Sequence, residues 1–528
     1  MIRITDLLEK AAHQWPDQPA VTCALGTLTW AQLQGRCIRL ARALHGIGAG
    51  QGERVAWLGF NAATGVECYY GPALIGAASV PLNFRLSEGE LRECLTDCAP
   101  VAVVADAEHA ELAVRLAADC PSIKVVWQAG GDLEGGAQPY EEALDRPGPM
   151  PDFDALAGRD DDLLILFYTG GTTGRPKGVM LSHANIFTNA MGTAAAFSIP
   201  QGAAHLMTGP LFHTAGGSRI YLAALMGMHL AMMPHFDVTE LMRLVSEHRV
   251  TIVQCVPTML AMMLDHPRFA DFDMTSLRLL TYGAAPMPPA LLRRAMAAFP
   301  GVQFAQGFGM TEASPILTIL PPEDHALNGP DEPEAARLTS VGRAVPYVDM
   351  RIVSETGTEC PQGTVGEVVV RGPNIMRGYW MQPDLTAKAL KGGWYHTGDA
   401  GYLDKDGYLF LTGRIKDMII TGGENVYPIE VENVIETHPA VDTVAVIGSP
   451  DPVWGERVHA VVTLIAPAAP QSAPPVTEAQ IIAYTRDRLA HYKCPKQVSF
   501  HPAPLPLTPV NKIDKRALRQ IYNGAPTD

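Results

Sequence analysis

The chain has 528 residues, of which 47% are hydrophobic and 18% charged, as expected for a globular protein with more than one domain. Its 55 acidic residues outnumber its 40 lysines and arginines, so the formal net charge is −15. An acidic surface argues against nucleic acid and gives no reason to expect binding to an anionic membrane. Anionic ligands would need locally basic pockets.

The nine cysteines are scattered, odd in number and without a CxxC pair. This pattern predicts neither a zinc site nor a disulfide framework and fits a reducing cytoplasm. The first residues include an acid where a signal peptide needs an apolar core. The longest nearly apolar run, 220–233, is shorter than the ~20 residues that a spanning helix needs. We therefore expect a cytoplasmic protein without a membrane span. A homodimer remains an open alternative for its assembly.

Short apolar runs and helix-like runs alternate from about residue 54, which predicts parallel strands covered by helices. The first unit is a strand at 54–59, a helix at 62–76 and a strand at 78–82. The following strands are predicted at 101–105, 123–127, 163–167, 251–256 and 277–282.

The pattern changes near residue 348, where short strands at 349–353, 366–371 and 408–411 predict a β-rich subdomain. Strands at 443–447 and 458–464 and a helix at 478–490 then predict a small α+β domain. The expected fold is therefore α/β. A large N-terminal domain of helix-covered sheets plus the β-rich subdomain spans 1–414. A hinge at 415–417 leads to a small mobile α+β C-terminal domain at 418–528.

A segment rich in glycine and threonine follows the strand predicted at 163–167. It reads Thr169-Gly170-Gly171-Thr172-Thr173-Gly174-Arg175-Pro176-Lys177-Gly178. Glycines let several backbone N–H groups converge on phosphate oxygens, hydroxyls add donors or a magnesium ligand, and Lys177 adds charge. The spacing is not that of a Walker A loop. From the residues alone, a phosphate-binding loop and a surface turn both stay open.

The order of these residues resembles the phosphate loop of the acyl-adenylate-forming enzymes, which include acyl- and aryl-CoA ligases, peptide-synthetase adenylation domains and luciferases. The family usually has serine where Gly170 stands. The resemblance implies that this segment binds the nucleotide phosphates and that Thr172 is a magnesium ligand. The residues concerned are Thr169, Gly170, Gly171, Thr172, Thr173, Gly174 and Lys177.

A second segment, Gln306-Gly307-Phe308-Gly309-Met310-Thr311-Glu312, follows a predicted strand. Its glycines allow the close approach of a flat base, Phe308 offers a stacking face, and Glu312 is a hard oxygen ligand for magnesium. The segment resembles the family's Tyr-Gly-Met-Thr-Glu, with Phe308 in place of tyrosine. The resemblance implies that Glu312 holds Mg²⁺ and that the nucleotide contacts Gln306, Gly307, Phe308, Gly309 and Thr311.

The third segment, Thr397-Gly398-Asp399, places a carboxylate after a tight turn, where it can accept hydrogen bonds from ribose hydroxyls or stabilise its own turn. It resembles the family's Thr-Gly-Asp, whose aspartate binds the ribose. Arg414 matches a second ribose contact in the family.

Two further segments lie in the predicted C-terminal domain. Gly422, Gly423 and Glu424 precede a helix that starts at a proline, and they resemble the family loop that lines the CoA tunnel in the thiol step. Lys512, after Asn511 where the family has glycine, matches the catalytic lysine. Lys416 matches the hinge residue about which the small domain rotates between two poses.

Weaker matches point to the pocket for the acid. His213, Gly217, Val256, Gly283 and Met310 are expected in the acyl pocket, and Gly283, Ala284 and Ala285 also border the nucleotide. Small residues at 216–217 and 284–285 would leave room for an apolar or aromatic tail. His213 is a candidate for the thiol base. Arg219 is interpreted as a surface or helix-capping arginine, with contact to a second polar group of the substrate as the alternative.

The resemblance implies a fatty or aryl acid–CoA ligase that forms acyl-AMP from ATP and a carboxylate, with Mg²⁺, and then transfers the acyl group to CoA. The expected catalytic residues are Lys512, Glu312, Thr172 and His213. Loading of a carrier-protein pantetheine and a non-catalytic sensor on the same fold are the alternatives. The absence of an appended carrier domain favours CoA, and retention of Glu312 and Lys512 argues against the sensor.

Overall fold

The computed structural model describes residues 2–169, 176–325, 337–465, 476–508 and 513–524. Contacts between residues divide the chain into two compact units, 1–350 with 370–395 and 351–369 with 396–528. Within the described ranges, none of the helices has the length and apolar character needed to cross a membrane.

The helices of the described residues are α1 Thr5–Gln14, α2 Trp30–Gly46, α3 Ala63–Tyr70, α4 Glu88–Cys98, α5 Ala110–Ala118, α6 Tyr140–Asp145, α7 Phe153–Leu156, α8 His183–Ala196, α9 Thr214–Met226, α10 Val238–Glu247, α11 Pro257–Leu264, α12 Pro289–Ala298, α13 Pro383–Ala389, α14 Pro428–Glu436, α15 Glu478–Arg486 and α16 Lys515–Asn523.

The strands are β1 Pro19–Cys23, β2 Gly26–Thr29, β3 Arg54–Leu58, β4 Ala78–Pro81, β5 Ala102–Asp106, β6 Val125–Ala129, β7 Gln138–Pro139, β8 Leu163–Thr169, β9 Lys177–Ser182, β10 Ala204–Met207, β11 His229–Met232, β12 Ile252–Cys255, β13 Leu279–Gly283, β14 Gln303–Gly309, β15 Ile316–Leu320, β16 Arg343–Ala344, β17 Asp349–Val353, β18 Gly366–Arg371, β19 Gly378–Tyr379, β20 Tyr395–Leu403, β21 Leu409–Arg414, β22 Ile419–Thr421, β23 Glu424–Val426, β24 Val441–Asp451, β25 Gly455–Leu464 and β26 Gln497–Phe500.

The larger unit contains two sheets. One has the strand order β16-β15-β14-β13-β12-β10-β11-β1-β2, and the other has the order β19-β9-β8-β4-β3-β5-β6-β7. In the second sheet, alternate residues of β3 enter opposite cores: Val55 and Trp57 pack in one cluster, Ala56 and Leu58 in the other. Burial on both faces explains why its central strands are almost continuously apolar.

The first sheet aligns four parallel strands whose carboxyl ends meet at one edge. β10, β12, β13 and β14 are neighbours and run parallel. In open sheets of this kind, ligands bind in the crevice outside the carboxyl ends of the strands. The segments that leave this edge begin at Thr208, Val256, Ala284 and Met310, so the fold brings four distant parts of the chain to one place.

The smaller unit contains a sheet of its own, in the order β23-β22-β25-β24 with β26 beside β25. Its core is aliphatic and includes Val431, Ile435, Val446, Val462 and Ile481. The unit also carries most of the sheet β17-β18-β20-β21.

The predicted α/β fold, with a large N-terminal part and a smaller C-terminal part, is confirmed. Most predicted strands agree within a few residues, whereas the helix predicted at 62–76 ends at Tyr70 and the one at 478–490 ends at Arg486. The compact units group residues 351–369 and 396–414 with the C-terminal part. The domain limits and the hinge at 415–417 stay predictions.

Candidate active site

The candidate phosphate loop joins two antiparallel strands. Thr169, the last residue of β8, is the register partner of Lys177, the first residue of β9. The hairpin therefore holds the two ends of the predicted loop side by side. Its remaining predicted members, Gly170, Gly171, Thr172, Thr173 and Gly174, lie outside the described residues.

A tyrosine connects this hairpin to the predicted magnesium ligand. The hydroxyl of Tyr379 donates to Glu312 Oε1 at 2.9 Å. The ammonium of Lys177 lies 5.7 Å from the centroid of the Tyr379 ring, within the range of a cation–π contact. A cation from the hairpin, over the ring, and a carboxylate from the 306–312 segment, at the hydroxyl, thus both contact one aromatic residue.

Tyr379 reaches this place because β19 pairs antiparallel with β9, with Gly378 opposite Met180 and Tyr379 opposite Val179. Tyr379 belongs to none of the motifs that the sequence shows. Its local pattern, a glycine followed by two aromatic residues, is a weak signal, and β9 and β19 are almost two hundred residues apart. Only their pairing identifies Tyr379 as part of the site.

Buried asparagines hold the turn that carries Glu312. Asn374, which is fully buried, donates from Nδ2 to the carbonyls of Ala313 at 2.9 Å and Ile316 at 3.0 Å. Asn189 of α8 accepts from the backbone N–H of Ile316 at 3.2 Å. Because side-chain amides replace regular secondary structure here, the carboxylate of Glu312 is presented from a fixed backbone.

The sequence suggested that the segment 306–309 follows a strand. In the structure this segment forms the last part of β14. Gln306 is buried, while Gly307, Phe308 and Gly309 are half-buried. A Cβ on Gly309 would lie 1.7 Å from the carbonyl oxygen of Pro315, so only glycine fits there. Strand pairing and this close approach bring the Phe308 segment to the carboxyl edge of the sheet.

The neighbouring strand ends in a conformation that is unusual for its residue. Gly283 closes β13, where a Cβ would lie 2.2 Å from the carbonyl oxygen of Gly307. The exposed Ala284 then has a φ of 64°, in the left-handed region that side chains with a Cβ rarely adopt. Such strain is concentrated at functional sites. The predicted residues Ala285, Val256 and Met310 are half-buried at the same edge.

The sequence suggested that the two glycines of α9 leave space for an acyl tail. The structure gives a different reason for these glycines. A Cβ on Gly217 would lie 2.3 Å from the hydroxyl of Tyr69, and one on Gly216 would lie 2.4 Å from the carbonyl oxygen of Pro210. Both positions are therefore filled by protein. His213 is half-buried at the start of α9, where its Nδ1 accepts from the N–H of Ala215 at 3.3 Å.

The expectation of a surface or helix-capping Arg219 is wrong. The residue lies in the interior of α9 and is only 6% exposed. Its Nε donates to Gln254 Oε1 at 3.2 Å, and its guanidinium lies 5.8 Å from the centroid of the Phe197 ring. Burial lowers the pKa of Arg219 to about 10, so the side chain remains charged at neutral pH.

The predicted ribose contacts form an ion pair within the smaller unit. Asp399 lies within β20 opposite Arg414 of β21, and Asp399 Oδ1 is 2.7 Å from Arg414 Nε. Asp399 is buried and Arg414 exposed. The carboxylate is therefore held by a strand pair, although the sequence suggested only the end of a tight turn. The arginine can orient it towards a ligand's hydroxyls.

The predicted CoA loop is a tight exposed turn between β22 and β23. Gly422 and Gly423 have φ values of 61° and 84°, which favour glycine, and Glu424 is exposed. Lys416 is exposed in a short 3₁₀ turn, Ile415–Asp417, and Asp417 pairs with Arg519 of α16 at 2.9 Å. Lys512 lies outside the described residues, but the flanking Leu507 and Ile513 pair through an isolated bridge.

Comparison with known proteins identifies the family. The family model of AMP-binding enzymes matches residues 8–380, and the model of the AMP-binding enzyme C-terminal domain matches residues 430–512. A feruloyl-CoA synthase from Amycolatopsis sp is 38% identical, over 97% of this chain and 98% of its own. A long-chain-fatty-acid–CoA ligase from Mycobacterium tuberculosis is 37% identical, over 94% and 93%.

Among solved structures, the o-succinylbenzoate CoA synthetase of Bacillus subtilis, in complex with its acyl-adenylate intermediate, is 28% identical and superposes with a TM-score of 0.84. The match covers 98% of this chain and 99% of that one. The chain therefore belongs to the AMP-binding enzymes. Within that family it falls in the acyl-CoA ligase branch.

We predict that Tyr379→Phe weakens the use of ATP when magnesium is limiting. The change removes the hydroxyl that orients the Glu312 carboxylate, and a hydrogen bond to a charged group contributes about 1.5–3 kcal/mol. Steady-state kinetics at graded magnesium should show an approximately tenfold or larger fall in kcat/KM for ATP that saturating magnesium partly restores.

The control for Tyr379→Phe is Tyr70→Phe, which removes a buried hydroxyl that donates to the carbonyl of Ile220 away from this cluster. This control should leave the magnesium dependence unchanged. Identical magnesium dependence in Tyr379→Phe and the wild type would disprove the positioning role of Tyr379.

Proposed function

We propose that the protein is an ATP-dependent, AMP-forming ligase that joins a fatty or aryl carboxylic acid to coenzyme A. The observation that carries this proposal is the Lys177–Tyr379–Glu312 cluster beside the hairpin β8–β9. It supplies a cation for phosphate oxygens and a rigid carboxylate for a metal ion, on a segment that leaves the carboxyl edge of the parallel strands. The CoA ligases among the relatives support the same chemistry.

The difficulty in the first step is electrostatic, because a carboxylate must attack the negatively charged α-phosphate of ATP. Preorganised cations around the reacting oxygens lower this barrier. Lys512 is proposed to bridge the carboxylate and the α-phosphate, and Lys177 with residues 169–174 to hold the departing pyrophosphate. Phe308 packs on the adenine, and Asp399 and Arg414 bind the ribose hydroxyls.

The residues present fit a magnesium ion that arrives with the nucleotide. Mg²⁺ is usually bound by one or two carboxylates together with phosphate oxygens rather than by a cage of protein ligands. Glu312 provides one such carboxylate, and Thr172 is the proposed second protein ligand. Bound there, the ion neutralises phosphate charge.

The second step requires a thiol at the position that Lys512 leaves. We propose that the C-terminal domain rotates about Lys416 and that Gly422, Gly423 and Glu424 then border the pantetheine. The exposure of this turn supports a role in contacting a ligand. His213 is the candidate that accepts the thiol proton.

The decisive experiment measures pyrophosphate release and thioester formation by the purified protein with ATP, magnesium and a panel of fatty and aryl acids. We expect acid-dependent pyrophosphate release, and acyl-CoA only when CoA is present. Adenylate without a thioester until a carrier protein is added would favour carrier loading. The absence of pyrophosphate release with every acid would refute ligase activity.

We predict that Lys512→Ala lowers the rate of adenylation by about 10²–10³-fold, because one preorganised cation is lost from the transition state. Thioester formation from preformed acyl-AMP should remain close to the wild-type rate. The two half-reactions are measured separately, by pyrophosphate release and by acyl-CoA formation.

Lys515→Ala is the matched control for Lys512→Ala. It removes the same charge three residues further on, where Lys515 pairs with Glu432 at 2.6 Å. This variant should retain adenylation. Equal losses in both half-reactions of Lys512→Ala would contradict its assigned role.

Gly423→Leu is predicted to block thioester formation and spare adenylation, since a bulky side chain would enter the pantetheine path. Its φ of 84° would strain any side chain, so the control must share that strain. Gly407→Leu does so: Gly407 has a φ of 81°, and at both glycines a Cβ would meet no atom within 4 Å.

Acyl-AMP and pyrophosphate should still form with Gly423→Leu while acyl-CoA production falls at least about tenfold. Gly407→Leu should change the two half-reactions in equal proportion. The same proportional change in Gly423→Leu would argue against a CoA path along this turn.

A further inference from the structure

Arg219 is a buried charge that has no counter-charge among the residues that the structure describes. Its Nε is bound by Gln254, but its terminal nitrogens have no hydrogen-bond partner in the part of the chain that the structure describes, and no carboxylate there pairs with it. A buried cation is costly unless it is paired and hydrogen-bonded. Such a residue next to a ligand crevice is explained by a ligand that pairs with it rather than by the stability of the fold.

The residues around Arg219 form a polar patch on one face of the sheet. Gln254 of β12 is the register partner of Thr281 of β13, and His205 of β10 pairs with Ile252, so that His205, Gln254 and Thr281 share that face. Burial and the charge of Arg219 lower the pKa of His205 to about 3, which makes its ring neutral at physiological pH.

Two of these side chains also carry polar atoms that the fold does not satisfy. His205 Nδ1 and Thr281 Oγ1 are buried and have no hydrogen-bond partner among the described residues. Almost all buried polar atoms in proteins are hydrogen-bonded, and each exception calls for an explanation. These two atoms lie on the same face as the guanidinium of Arg219, where a polar ligand group could satisfy them.

The patch adjoins the crevice of the proposed active site. Gln254 is the next-to-last residue of β12, two residues before Val256. The ring of Phe197 lies against the guanidinium. Its Cζ atom is 3.6 Å from the position that a Cβ on Gly307 would take. One aromatic ring therefore separates Arg219 from the 306–309 segment at the carboxyl edge.

We propose that the acid activated by this enzyme carries a second oxygen acceptor, a carboxylate or a carbonyl, remote from the reacting carboxylate, and that Arg219 with Gln254 binds it. This inference rests on the proposed function and specifies its substrate class. The guanidinium presents two adjacent nitrogens in a plane, which suits an oxygen acceptor and especially a carboxylate. An acid with a plain hydrocarbon tail would leave the charge buried and unpaired.

The test compares acids in matched sets whose members have similar size and differ in the second oxygen group. Suitable sets are octanoate against 7-oxooctanoate and suberate, and 4-isopropylcinnamate against 4-acetylcinnamate and 4-carboxycinnamate. For the wild type, kcat/KM for pyrophosphate release should be about 100-fold higher with the oxygenated member of the set that fits. The oxo and carboxylate members show which acceptor is bound.

Arg219→Met fills a similar volume without the charge. It should abolish the preference, mainly through KM, and leave the hydrocarbon acid as good a substrate as before or better. Arg219→Lys should retain part of the preference. The control Tyr221→Phe removes a buried hydroxyl from the same helix and should not alter the ratio. Thermal unfolding of each variant separates selectivity from stability.

The inference is overturned if, for the wild type, the kcat/KM values of all three members of every set agree within about threefold, or if Arg219→Met lowers kcat/KM for all acids by one common factor. The second result would mean that Arg219 only supports the fold. In either case pyrophosphate release persists and the proposed ligase function stands. If no acid of either kind supports pyrophosphate release, both the inference and the proposed function fail.

Discussion

The site depends on one constraint, the parallel register of β12, β13 and β14. Hydrogen bonding of neighbouring strands aligns Cys255 with Tyr282 and Gly283 with Gly307, so the chain leaves all three strands at the same edge. The backbones of these strands cannot shift independently at this edge, because each is hydrogen-bonded to its neighbour. Gly283 and Gly309 allow the neighbouring backbone to approach closely, since a Cβ at either position would collide with backbone atoms.

A second constraint is the way in which the larger unit brings charged side chains together. The hairpin β8–β9 and the short strand β19 bring a lysine and a tyrosine to the carboxylate of Glu312. Asn374 and Asn189 fix the backbone that bears it. Preorganisation of this kind matters because dipoles and charges that are already oriented need not reorganise when the reaction occurs.

Arg219 differs from these charges because, among the described residues, its terminal nitrogens have no partner. The exposed Arg414, by contrast, is paired with Asp399. In the proposed ligase the missing partner is supplied by the substrate. Specificity of this kind is strong, because an acid without the second oxygen leaves a buried cation unpaired. Selection among acids would then depend on a group far from the atoms that react.

The sequence by itself determined the α/β fold, most of the strands and the motifs that mark the family, because alternating apolar runs and glycine-rich loops are local signals. It did not determine Tyr379 or the burial of Arg219. Tyr379 acquires its role only because β19 pairs with β9. The sequence alone suggests that Arg219 is a surface residue, and only the packing of α9 on the sheet shows that it is buried. Likewise, Gly217 suggested space, whereas Tyr69 fills it. These features arise from contacts between residues far apart in the chain, which only the tertiary structure decides.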